Sequence, residues 1–108
     1  MHAPSHPNEL SPSDQTLLVL LAQAGDGAAL EQLLRYSHAP LRRYITRLAG
    51  ADLADDILQE TSIQIFRKLP FLREPAVFQA WALRIASRIG EDRCTYHCRE
   101  LGVNQNAP

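Results

Sequence analysis

The sequence predicts an all-α fold, a small domain of four helices, on three observations. Apolar residues recur three and four apart along each long segment, the spacing that gathers them on one side of a helix. No segment shows the apolar–polar alternation of a half-buried strand. Glycines, prolines and capping residues cluster between these segments, where helices start and stop.

Residues 1–12 contain three prolines (Pro4, Pro7, Pro12) and little apolar surface, and read as a disordered leader. The helical domain is expected over 13–101. Ser13 or Asp14 can cap the first helix, and Leu17, Leu18, Leu21 and Ala22 give it an inward leucine face. Gly25-Asp26-Gly27 breaks it, and Asp26 is a suitable cap for the second helix. That helix has Leu30, Leu33, Leu34, Leu41, Ile45 and Leu48 at core spacing. Pro40 lies inside it and should kink it or interrupt its bonding near Tyr36; Gly50 ends it.

The third helix is expected over 52–69, stopping before Pro70. Ala54, Leu58, Thr61, Ile65 and Leu69, flanked by Ile57 and Phe66, form its buried stripe, and Asp52, Asp55, Asp56 and Gln59 lie opposite. Residues 70–76 form a loop. A fourth helix starts near Pro75 and runs to about Arg93 or beyond, with Phe78, Trp81, Ala82, Ile85 and Ile89 along one side. Arg84 and Arg88 stand together at i and i+4. Residues 102–108 read as a linker or frayed tail. The expected core unites Leu17, Leu21, Leu33, Ile45, Leu58, Ile65, Trp81 and Ile85.

Bulk composition bounds the function without deciding it. A chain of 108 residues has room for one small domain, and 45% hydrophobic residues are enough for a core. A net charge of −1 argues against strong, diffuse attraction to nucleic acid. Its distribution says more. Residues 1–34 carry acids only (Glu9, Asp14, Asp26, Glu31), and 35–48 carry arginines only (Arg35, Arg42, Arg43, Arg47). Residues 51–60 return to acids only (Asp52, Asp55, Asp56, Glu60), and bases outnumber acids from 61 onward. Such blocks suit several faces with different partners, although a run of charge is most often a solvated helix face.

No membrane segment is expected, because the most apolar run, 17–22, falls far short of the ~20 residues a bilayer requires. Cys94, His97 and Cys98 fit known zinc-finger spacings poorly, and two reduced thiols on a cytoplasmic helix are the simpler reading. No glycine-rich phosphate loop and no nucleophile–base set is present, so neither catalysis nor a cofactor is expected. Asp55 and Asp56 could in principle do acid–base work. Adjacent helical residues point about 100° apart, however, so their carboxylates do not converge on one atom. They belong to a surface.

Two helical signatures make a resemblance specific. Ala54-Asp55-Asp56-Ile57-Leu58-Gln59-Glu60, then a Pro-containing loop, then Phe78-Gln79-Ala80-Trp81-Ala82-Leu83-Arg84-Ile85-Ala86 resembles region 2 of bacterial RNA polymerase sigma factors of the extracytoplasmic-function group. The family pattern is an Ala-Glu-Asp-Leu-Val-Gln-Glu helix followed by Phe-x-x-Trp-Leu-x-Arg-Ile-Ala. The segment 24–33, Ala-Gly-Asp-Gly-Ala-Ala-Leu-Glu-Gln-Leu, resembles the start of the family's second helix, and the likeness covers roughly residues 14–100.

The resemblance implies a face of Asp55, Asp56, Gln59 and Glu60 that docks on the clamp helices of the largest subunit of core RNA polymerase. An acceptor-rich face suits arginines on a partner, which make charge-assisted hydrogen bonds. It also implies that the loop 71–76, with Phe71, Leu72 and Arg73, and Arg84 and Arg88 on the following helix, recognise the −10 promoter element. There they would hold bases of the non-template strand as the duplex opens. Trp81 is tempting as a stacking residue, but its spacing with Phe78 and Ile85 favours the core. An anti-sigma factor is a further partner that the family brings.

The chain departs from the family in several places. Arg88 stands where the family usually has Asn, which shifts that contact from base reading toward phosphate attraction. Ser62 replaces a phenylalanine, and the usual basic cluster after the fourth helix is diluted over 91–99. The 108 residues reach the point where a linker would lead to a second domain reading the −35 element, and they include no such domain. Two functions are therefore open: the core-binding and promoter-melting domain of a sigma factor, or a standalone helical interaction module that binds polymerase or a regulator without initiating transcription.

Overall fold

The computed structural model describes residues 11–100, and among them the side chains of 11 and 13–95. Within that span the chain forms four α-helices and no strand: α1 (Pro12–Gln23), α2 (Gly27–Ala49), α3 (Ala51–Lys68) and α4 (Phe78–Glu100). Two single 3-10 turns, Leu69–Phe71 and Pro75–Val77, join α3 to α4. The all-α expectation holds. Most of the expected leader and all of the expected tail lie outside the described residues.

α1 begins two or three residues earlier than a cap at Ser13 or Asp14 would set. Pro12 takes the first helical position, where its fixed φ suits a helix and its missing N–H costs nothing. Ser11 is the cap, its hydroxyl accepting from the Asp14 N–H at 3.2 Å. The docking register also differs from expectation. Val19 is fully buried, whereas Leu17 is 55% exposed and Leu21 is also exposed. Five consecutive aliphatic residues, 17–21, can bury more than one side of a helix, and local spacing does not choose between them.

Gly25 turns the chain out of α1 with φ +103°, while its N–H bonds the Ala22 carbonyl and the Asp26 N–H bonds that of Leu21. These two bonds close a helix end that favours glycine. Asp26 then caps α2, accepting from the N–H groups of Ala28 and Ala29 at 3.0 and 3.2 Å. α2 is the central helix and packs against the other three. Ala29, Leu33, Ser37, Leu41 and Ile45 are buried along it at intervals of four. α2 continues through Pro40, which has no N–H to offer the Tyr36 carbonyl. Leu48, expected in the core, is exposed near the end of the helix.

Gly50 alone separates α2 from α3, at φ +89° and ψ 162°, and its N–H closes α2 on the Thr46 carbonyl at 2.8 Å. A one-residue turn folds the two helices back against each other. α3 buries Ala54, Ile57, Leu58, Thr61 and Ile65. The Thr61 hydroxyl is satisfied inside the core by the Ile57 carbonyl at 2.7 Å. Phe66, expected at the edge of that stripe, is 62% exposed.

On α4 the buried positions are Phe78, Ala82, Ala86 and Gly90. Trp81 and Ile85, expected inside, are half-buried and pack against the core from its flank. Small residues at 82, 86 and 90 let α4 seat closely, which leaves the large ones on its side facing α3. A Cβ added at Gly90 would lie 2.6 Å from Leu48 Cδ2. Tyr44 and Ser87 share a hydrogen bond between their hydroxyls across the α2–α4 contact.

Candidate functional site

The third helix presents Asp52, Asp55, Asp56 and Gln59 to solvent on the side away from its buried stripe, with Glu60 half-exposed at the edge. The neighbouring carboxylates diverge, as the helical geometry requires. Asp55 turns to α2, where Arg42 Nε stands 3.2 Å from its Oδ1. Asp56 turns to α4, with Arg93 Nη1 3.4 Å from its Oδ2. Arg93 also holds Glu60, through Nη2 at 2.5 Å and Nε at 3.1 Å from Oε2. That hydrogen bond, then the charge of Glu60 and that of Asp56, raise the pKa of the Arg93 guanidinium above its ordinary value.

Sequence reasoning missed two residues of this surface. Ile63 and Phe66 continue the line from Gln59 toward the end of α3, and both are exposed. The intervals 59, 63 and 66 place them one and two turns beyond Gln59. Ile63, Arg67 and Arg93 line a shallow depression together with Asp56, Gln59 and Glu60.

The second group of expected residues is split by the structure. Phe71, at the end of its 3-10 turn, is 81% exposed, and Arg73 is exposed two residues on. Leu72 between them is half-buried and packs against the core. Arg84 and Arg88 are exposed and line a groove of about 420 Å³ between α3 and α4 with Trp81, Lys68, Gln64 and Glu60. Phe71 and Arg73 are not part of that groove, while Glu60 is. Trp81 meets Phe78 on one side, ring centroids 5.9 Å apart and tilted by 47°, and the groove on the other. It serves both core and surface. Lys68, absent from the sequence-derived set, adds a third cation to this groove.

Among the described residues no group of three or more His, Cys, Asp or Glu could hold a metal ion. Cys94 is half-buried, and the side chains of His97 and Cys98 lie outside the described residues. No helix of the described chain is long and apolar enough to cross a membrane.

The all-helical fold of the described residues agrees with the family comparison. The family described as Sigma-70 region 2 matches residues 31–99, and the chain belongs to it. Two curated relatives are each 30% identical over 77 residues, covering 71% of this chain and 42% of their own length. They are the probable RNA polymerase sigma-C factor of Mycobacterium bovis and the ECF RNA polymerase sigma factor SigC of Mycobacterium tuberculosis. The chain thus spans about two-fifths of the curated relatives it matches. No solved structure matches at a significant level.

Proposed function

We propose that the chain acts in transcription initiation as the sigma-factor domain that binds core RNA polymerase and recognises and melts the −10 promoter element. The observation that carries this is the separation of charge. Acids crowd the outer face of α3, while Arg73, Arg84 and Arg88 stand exposed on the loop and α4. Asp55, Asp56, Gln59 and Glu60 would accept charge-assisted hydrogen bonds from basic clamp helices. Phe71 would offer its ring face to an unstacked base, with arginines drawing the strand's phosphates.

A net charge of −1 supplies little general attraction to DNA, so the energy for melting would come mainly through the assembled polymerase. The test is paired. Asp55→Ala with Gln59→Ala should weaken capture of a clamp-helix fragment at physiological salt while leaving helicity and melting temperature unchanged. Unaltered capture refutes the docking face. Clamp binding without any binding of single-stranded −10 DNA would favour the standalone interaction module instead.

A further inference from the structure

Gln23, the last residue of α1, reaches across to the turn that carries Phe71. Its Nε2 lies 3.0 Å from the Leu69 carbonyl oxygen and 2.8 Å from that of Leu72, so both amide hydrogens have an acceptor there. These bonds are part-buried and join residues 46 and 49 positions apart in sequence. Side chains anchor the turn at its two ends, Leu69 buried in the core and Leu72 packed against it, but Phe71 between them has no such anchor. Pro70 has no N–H, and the backbone bond closing the turn is Leu72 N–H to the Leu69 carbonyl at 3.0 Å. Phe71 lies between the two pinned carbonyls and makes little contact of its own, being 81% exposed. Its direction is therefore set by the backbone on either side of it. α1 also lies outside the residues that match the family.

We propose that Gln23 is a positioning residue for DNA capture: by pinning the Leu69 and Leu72 carbonyls it holds Phe71 outward in the orientation that receives an unstacked base. This rests on the reading of Phe71 as a base-contacting residue. An ordered turn spares the binding step the entropy of fixing it, so loss of the pin should appear as weaker binding.

The experiment is a double-mutant cycle in the full 108-residue chain. Binding is measured with a fluorescein-labelled single-stranded DNA pool, and amide exchange at 69–73 without DNA. Gln23→Met keeps the side chain's length and removes its donors. It should speed exchange of the Leu72 amide and weaken binding about three- to tenfold, the range expected for a lost hydrogen bond. In the Phe71→Ala background the same change should leave affinity unaltered, because nothing remains to be positioned. A general loss of stability would weaken both backgrounds equally. Should Gln23→Met fail to fold, Gln23→Asn, one methylene too short to reach both carbonyls, enters the same cycle. Equal losses in both backgrounds, or unchanged Leu72 exchange, overturn the positioning role alone. No DNA binding by the unaltered chain, or equal binding by it and Phe71→Ala, overturns the base-contact reading and the positioning role together.

Discussion

Arg93 on α4 holds Glu60 on α3 through two nitrogens and reaches Asp56 with the third. Arg42 engages Asp55 from α2 through its Nε alone. Three of the four residues proposed to dock on polymerase are thus already partnered by arginines of their own chain. All these pairs are exposed, where ion pairs are weak and exchange readily. A basic partner would take the place of Arg93 rather than meet bare carboxylates.

Arg93→Ala should therefore tighten association with a clamp-helix fragment, most visibly at low ionic strength, with little change in melting temperature. Surface plasmon resonance across a salt series measures this. Weaker association would mean instead that Arg93 arranges Asp56 and Glu60 for docking.

Leu58 and Ile65 are enclosed by the core, and their truncation to Ala should each cost about 2–5 kcal/mol. Leu17→Ala, on the exposed side of α1, should stay within about 0.5 kcal/mol. Chemical denaturation with an unchanged m-value distinguishes the two classes. A large effect at Leu17 would show that the exposed side of α1 is covered in solution.

Gly50 sits at φ +89° and ψ 162°, a region essentially reserved for glycine. Gly50→Ala should destabilise by roughly 1–3 kcal/mol. Gly27, where an added Cβ meets nothing within 4 Å, should accept Ala with no such loss. Thermal melts of the two variants make the comparison.

Arg84 and Arg88 are expected to contact phosphates, so each replacement by Ala should lower the salt slope of single-strand binding by roughly 0.7. Phe71→Ala should cost about 1–3 kcal/mol with the slope preserved, as stacking requires. Oligonucleotide titrations at several salt concentrations separate the effects. An unchanged slope in the arginine double variant would remove that pair from the interface.

Much of this protein was legible along the chain because the determinants are local. Asp26 caps α2 with its own side chain, Gly50 has the one backbone freedom a single-residue turn needs, and the 54–58–61–65 stripe of α3 needs only helical period to be seen. The acidic face and the first of the two family signatures lie on that same helix, and the second signature lies at the start of α4. Tertiary structure decided the rest. In α1, five adjacent aliphatic residues left its rotation open, and packing buried Val19 in place of Leu17 and Leu21. In α4, Ala82, Ala86 and Gly90 became the contact because small residues permit close approach, which moved Trp81 and Ile85 to the flank. The ties from Gln23 to Leu69 and Leu72, and from Arg93 to Glu60, join residues more than thirty positions apart. No local pattern encodes such pairs, since they exist only once packing has brought their helices together.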